Sequence, residues 1–240
     1  VQLVAHKYRV PENFENLHPE KVLVDYNGVV YVLTKKGLYR DFPDHVLSKD
    51  NTYRSLADKT PVDICLQEES AILFYLYKDQ FLTNGYAGTI HANLEEEYER
   101  ILVNRNMDIL LLNEEKTSLY REKEKIMEIS SPKGSFVDCY VNNGRFYYLT
   151  ADKVFQLSNS EWKIIHKEEE LTSLAFNDGK IFVSTMNGYY AIDQKGQVIQ
   201  ELDASLPVPS ISKLLVTAND ELWFATQNGV FRKEGDRFRY

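Results

Sequence analysis

One apolar phrase recurs six times along this chain, and nothing else in the sequence restricts the fold as tightly. Glu221-Leu-Trp-Phe-Ala-Thr226 reads polar, three apolar, small, Thr. The pattern returns as Lys180-Ile-Phe-Val-Ser-Thr185 and Arg145-Phe-Tyr-Tyr-Leu-Thr150, with looser copies at Asp108–Asn113, Ala71–Leu76 and Val29–Thr34. The final residues stand at 34, 76, 113, 150, 185 and 226, at intervals of 42, 37, 37, 35 and 41. A steady period of this size marks a repeat architecture, each unit being one supersecondary motif. Six units account for the 240 residues.

Each unit reads as four short antiparallel strands. Eleven residues before each anchor stand Leu23, Cys65, Leu102, Cys139, Leu174 and Leu215, which opens a first strand. Asn27-Gly28, Asn143-Gly144 and Asp178-Gly179 then separate two apolar runs, the strongest short hairpin signal because the tight turn needs φ > 0. Lys36-Gly37, Asn187-Gly188 and Asn228-Gly229 mark a second turn, followed by third strands at Leu38–Arg40, Tyr189–Ile192 and Val230–Lys233. Fourth strands follow at Trp162–His166, Val198–Leu202 and Arg237–Tyr240. First strands apolar on both faces require sheets covered on both sides, and radial stacking supplies that cover. The expected fold is all-β: a β-propeller of six four-stranded antiparallel blades around a central channel, in a single domain. The blades span roughly 18–50, 60–94, 97–130, 135–167, 170–204 and 210–240. Val1–Val10 reads as an extra strand that closes the ring.

Composition excludes several classes of protein. Asp and Glu outnumber Lys and Arg by 36 to 28, a net charge of −8, which argues against nucleic acid as a partner because phosphate binding needs a basic patch. No apolar run reaches the length of a membrane span. Two cysteines make no disulfide scaffold. They share a repeat position on the first strands of non-adjacent blades, so Cys65 and Cys139 are expected as buried thiols. The 16 Tyr and 12 Phe against 3 Met favour strands over helices. They are expected on second and third strands, filling the space between blades. The chain opens on Val1 rather than Met, so a signal peptide, a tag or the rest of a longer protein is expected before it, and it ends inside a strand pattern, which suggests a cut there as well.

The last unit, Asn219-Asp-Glu-Leu-Trp-Phe-Ala-Thr-Gln-Asn-Gly-Val-Phe-Arg232, resembles the two-component regulator propeller repeat, and Gly235-Asp-Arg-Phe-Arg-Tyr240 is similar to the phrase that closes it. The stretches Asn177–Tyr190 and Asn27–Tyr39 follow the same plan. The family's Gly before Thr is replaced here by Leu33, Tyr75, Leu112, Leu149, Ser184 and Ala225. The resemblance implies an extracytoplasmic sensor domain of a bacterial histidine kinase or hybrid regulator, tied to polysaccharide use, in the periplasm or secreted.

Catalytic signatures are missing. No Gly-x-Ser-x-Gly elbow, Walker A loop or dinucleotide fingerprint occurs. His6, His18, His45, His91 and His166 show no metal-ligand spacing, and His45, His91 and His166 fall on fourth strands. No cofactor and no metal are expected, and the balance leans away from an enzyme. What remains is the channel mouth, where first strands begin and the turns between second and third strands emerge. Lys21, Asp63, Arg100, Thr172 and Lys213 stand thirteen residues before their anchors, and Asp138 takes the polar role beside Val137. The turns add Lys36, Tyr77, Glu114, Asp152, Asn187 and Asn228. Such a mixed ring suits hydrogen bonding to a polyol, a sugar acid or a peptide. The expected partner is therefore a small polar, carbohydrate-like ligand or an extracytoplasmic protein or glycan. Two alternatives remain. One is a metal-assisted hydrolase, lactonase or lyase, with Asp63, Asp138 and Asn187 as oxygen donors. The other is the accessory propeller of a secreted glycan-active enzyme. The longest irregular stretches, Asp41–Pro61 and Tyr86–Tyr98, flank the second blade, where a recognition surface is sought first.

Overall fold

A computed structural model describes residues 18–25, 27–41, 48–49, 59–68, 70–85, 88–203, 210–217, 221–234 and 237–239. The expected strand at Val1–Val10, together with His6 and His45, lies outside these residues. The described residues form six four-stranded antiparallel sheets, the blades of a six-bladed β-propeller fold. Two compact units divide the chain, Val1–Ser130 and Ser131–Tyr240, with three blades in each.

In the first unit, blade one is β1 (Pro19–Val24), β2 (Val30–Thr34), β3 (Gly37–Arg40) and β4 (Ser48–Lys49). Blade two is β5 (Asp63–Leu66), β6 (Leu73–Leu76), β7 (Gln80–Gly85) and β8 (Gly88–Asn93). Blade three is β9 (Arg100–Val103), β10 (Asp108–Leu112), β11 (Lys116–Arg121) and β12 (Glu124–Ser130). Leu33 and Leu38 pack on Ile64, Tyr75 and Leu82 between the first two blades. Between blades two and three, Phe74, Leu76 and Phe81 meet Ile101, Ile109 and Leu111. Phe81 also meets the Tyr120 ring edge-on, with centroids 5.3 Å apart.

In the second unit, blade four is β13 (Phe136–Asn142), β14 (Arg145–Thr150), β15 (Lys153–Ser158) and β16 (Glu161–Lys167). Blade five is β17 (Leu171–Asn177), β18 (Lys180–Thr185), β19 (Gly188–Ile192) and β20 (Val198–Asp203). Blade six is β21 (Ile211–Val216), β22 (Leu222–Thr226), β23 (Gly229–Glu234) and β24 (Arg237–Arg239). Tyr147, Leu149 and Val154 pack on Leu171, Leu174 and Val183, and Phe182 and Tyr189 on Ile211, Leu214 and Phe224. The aromatic residues of these interfaces sit on second and third strands and fill the inter-blade space, as expected, whereas Phe136, Tyr140 and Phe176 lie on first strands and Trp162 and Phe238 on fourth strands.

Two local devices recur among the blades. Asn143-Gly144 and Asp178-Gly179 carry φ of 52° and 75°, and 45° and 76°, the paired positive values that a two-residue hairpin turn demands. The recurring Thr has its own reason. Thr34, Thr185 and Thr226 each donate from Oγ1 to the carbonyl of the Gly three residues on, and each accepts the amide two residues on. The hydroxyl closes the turn between second and third strands from inside. In blade three the carboxamide of Asn113 takes the same place, accepting the Glu115 and Lys116 amides.

Candidate functional site

Strand pairing, rather than sequence spacing, sets which residues are equivalent at the start of each first strand. The partners of Leu33, Leu76, Leu112, Leu149, Ser184 and Ala225 are Lys21, Asp63, Arg100, Asp138, Ser173 and Lys213. Five of these are the sequence-predicted residues. In blade five the residue in register is Ser173, not Thr172. The span from the register residue to its partner is 11 residues in blades four and five, where a two-residue turn joins the first two strands, against 12 in blades one, three and six, so one fixed spacing misses by a residue. β-Bulges at Pro19/Lys21, Phe136/Asp138, Leu171/Ser173 and Ile211/Lys213 lie just before the register residue. Thr172 instead bonds its hydroxyl to Ser184 Oγ at 2.9 Å.

The turn residues spread further. Lys36, Asp152, Asn187 and Asn228 hold the third position of their turns, whereas Tyr77 opens its turn, pairing with Gln80, and Glu114 holds the second place after Asn113. Tyr77 is buried, and Glu114 is exposed. The Lys153 ammonium and Thr150 hydroxyl hold the Asp152 carboxyl below the usual carboxylate range. Asn187 donates to Glu170 at 3.3 Å and lines a cleft of about 380 Å³ with His166, Glu168, Glu169 and Tyr190. Glu114 lines a second cleft, of about 320 Å³, with Glu97, Tyr98 and Asn113. Both clefts sit beside the turn between second and third strands, in blades five and three respectively.

In the first unit, Asp63 is 3% exposed. Its Oδ1 accepts Lys21 Nζ at 2.8 Å and its Oδ2 accepts the Ile101 amide at 3.0 Å, so one carboxylate ties three blades. Arg100 donates to the Glu99 carbonyl at 2.8 Å.

The second unit builds a larger cluster. Asp138 Oδ1 accepts the Cys139 amide at 2.8 Å, and its Oδ2 takes Lys213 Nζ from two blades further along. Lys213 Nζ also donates to the Tyr140 hydroxyl at 3.2 Å and stands 4.7 Å from the centre of that ring. Tyr140 Oη accepts the Leu174 amide at 3.1 Å and lies 3.3 Å from Ser173 Oγ, which accepts the Leu214 amide at 3.2 Å. Burial, reinforced by the Asp138 charge, pushes the Tyr140 phenol up, so it stays neutral and polar. Burial pulls Lys213 down, but Tyr140 and Asp138 outweigh it, and the ammonium lies above its ordinary range. Side-chain exposures of 51% for Lys213 and 34% for Asp138 leave this pair facing solvent.

A rule not visible in the sequence emerges. The amides of Ile101, Leu174 and Leu214 each follow the register residue of their blade, and each is accepted by a side chain of the preceding blade: Asp63, Tyr140 and Ser173. A first strand is a sheet edge, and its outward amides need acceptors when buried. Tyr140 and Ser173 therefore belong to the site although spacing did not select them. Their signal was indirect: polar or phenolic groups inside otherwise apolar strands.

Cys65 and Cys139 are both buried and not bridged to each other, in line with expectation. His91 is exposed on β8. His166 on β16 is half-buried, 2.8 Å from the Tyr190 hydroxyl and 3.2 Å from the Gly196 carbonyl. Among the described residues no three His, Cys, Asp or Glu side chains group so as to hold a metal ion. No helix among the described residues is long and apolar enough to cross a membrane.

Comparison with known proteins places the fold. No protein-family model matches the chain, and no curated protein matches it in sequence. Solved structures match it well. A streptogramin B lyase is 14% identical with a TM-score of 0.69, over 92% of this chain and 81% of that one. The extracellular domain of a putative hybrid two-component system from B. thetaiotaomicron is 14% identical with a TM-score of 0.63, over 92% of this chain. A second such domain from the same organism gives 14% and 0.61, over 89%. The shared feature is the propeller. This chain spans about a third of the length of the two sensor domains. They are of the two-component class whose repeat the last blade resembles.

Proposed function

We propose that this propeller is a non-catalytic recognition domain, outside the cytoplasm, for a carbohydrate-like polar ligand or an extracytoplasmic partner. The observation that carries the reading is the Lys213–Asp138–Tyr140 group. It offers a cation, a carboxylate and a phenol side by side, half open to solvent, at the start of the first strands. A sugar presents vicinal hydroxyls that take one bond from an ammonium and give one to a carboxylate, and the neutral phenol adds a flat apolar wall. Rigid strands hold these groups in place, which lowers the cost of ordering them on binding. The likeness to extracellular sensor domains supports the location and the role, at the level of analogy.

The test is a thermal-shift screen over neutral oligosaccharides, sugar acids and short peptides. At least one compound raises the melting temperature, and Lys213→Met abolishes that rise. A screen without a stabilising compound, combined with no partner co-purifying, overturns the reading.

A second reading rests on the match to a streptogramin B lyase. On it, the same polar end is a metal-assisted lyase or hydrolase centre. Metal analysis of untreated protein and assays on lactones and cyclic esters decide it: turnover supports an enzyme, and neither metal nor turnover removes it.

A further inference from the structure

Few hydrogen-bonding positions of the Lys213–Asp138–Tyr140 group are left for a ligand, and their pattern is specific. A phenol carries one O–H and two lone pairs. Tyr140 Oη accepts Lys213 Nζ at 3.2 Å and the Leu174 amide at 3.1 Å, so its proton goes to Ser173 Oγ at 3.3 Å. Ser173 Oγ also accepts the Leu214 amide at 3.2 Å, and its own proton points to the Leu174 carbonyl at 3.5 Å. Both hydroxyls are therefore fully engaged between the blades.

The charged pair is not. An ammonium carries three N–H donors and a carboxylate about four lone-pair positions. Lys213 donates once to Asp138 Oδ2 and once to Tyr140, and one N–H remains. Asp138 accepts the Cys139 amide on Oδ1 and Lys213 on Oδ2, and about two positions remain. Among the described residues neither side chain makes a second ion pair. Asp138, Tyr140, Ser173 and Lys213 all belong to the second unit, so their mutual geometry is set within it.

We infer that this group selects a neutral vicinal diol over charged ligands. The inference rests on the recognition reading proposed above and narrows its ligand class. One hydroxyl of the diol accepts the remaining Lys213 N–H and donates to Asp138, while its neighbour donates to the second Asp138 position. Adjacent hydroxyls thus supply the one acceptor and two donors required, and bring no charge. A ligand carboxylate accepts the Lys213 N–H but has no proton to give, and it faces Asp138. A ligand ammonium gives protons to Asp138 but faces Lys213. The pair is formally neutral, so any ion is attracted by one member and repelled by the other at similar distance.

The experiment is isothermal titration calorimetry with sugars matched in ring configuration: a neutral methyl glycoside, the corresponding uronate and the corresponding amino sugar, both ionised. The galacto, gluco and manno series are each run. In a series that binds, the neutral member is tighter than either ion by about tenfold or more. Its affinity changes by less than about twofold between about 50 and 500 mM salt, because no net charge is brought together. Asp138→Asn removes the negative member and keeps an acceptor for the Cys139 amide, and the uronate then gains about tenfold relative to the neutral sugar. Lys213→Met moves the ranking the other way, towards the amino sugar, and serves equally if the Asp138→Asn protein is unstable. A uronate or an amino sugar as the tightest ligand of the native protein overturns the inference and leaves the recognition reading standing. So does a ranking that neither substitution moves. No binding in any series, with no partner co-purifying, removes the recognition reading and the inference with it.

Discussion

Lys21 and Asp63 meet at 2.8 Å across the first two blades, and the carboxylate goes on to take the Ile101 amide of the third. A single buried anion therefore fixes the spacing of three sheets. Asp63→Ala removes both bonds and strands the Ile101 amide. The expected loss is about 2–4 kcal/mol, read as a lower urea midpoint at unchanged m-value. A loss below about 0.5 kcal/mol is incompatible with this role.

Ser173 does the same service in the second unit with a hydroxyl. Ser173→Ala leaves the Leu214 amide without its acceptor and costs about 1–3 kcal/mol. Hydrogen exchange at Leu214 accelerates more than at the ladder amides around it.

Lys213 is expected to behave differently, because half of its side chain is exposed. Lys213→Met costs less than about 1 kcal/mol, since an ion pair open to water is worth little. Its effect falls on binding: a stabilising ligand from the glycan screen loses its thermal shift with this variant.

Gly196 carries φ of 84°, and a Cβ there falls 1.6 Å from the Ile165 carbonyl oxygen on the neighbouring blade. Gly196→Ala forces backbone to move and adds left-handed strain, a loss of about 2 kcal/mol or more. It also disturbs the His166 contact with the Gly196 carbonyl, which shows as a change in the ring's NMR chemical shifts.

Tyrosine ionisation supplies a pH test. Burial, with Tyr98 nearby, pushes the Tyr120 phenol up to about 12, and burial also raises Tyr140, Tyr189 and Tyr190. In the unfolded chain these phenols ionise near 10, at about the reference value. The folded state therefore holds more protons between those values. This contribution to stability is complete below pH of about 10 and is lost as pH climbs towards 12. Absorbance at 295 nm shows a fraction of the 16 tyrosines titrating only with unfolding.

The architecture was legible because it is periodic. Each Gly-bearing turn and each anchor Thr reports a local requirement, φ > 0 in one case and a hydroxyl inside a turn in the other, and these return from blade to blade. The register positions at the start of the first strands were legible to within one residue. Lys21, Asp63, Arg100, Asp138 and Lys213 stand in register, but the two-residue turn between Asn177 and Lys180 makes the span from Ser173 to its partner Ser184 one residue shorter than in blades one, three and six, which moved blade five by one place. In blade two the turn begins at Tyr77 rather than Leu76, so its anchor was displaced as well. A single offset from the anchor misses such differences in hairpin length between repeats. The inter-blade acceptors Tyr140 and Ser173 were hidden for another reason: their partners are backbone amides in other repeats, more than thirty residues away.

The threonine turns carry one last consequence, for how the chain comes together in time. Thr34, Thr185 and Thr226 close their hairpins through bonds spanning two and three residues. Such loops shut quickly and at small entropic cost, so contact order within a blade is low. The slow events are then the long-range ones made by Asp63 and Ser173, which join sheets that have already formed. A ribosome emitting this sequence releases finished hairpins one after another, and the rate of the whole is set by how soon their edges find the next.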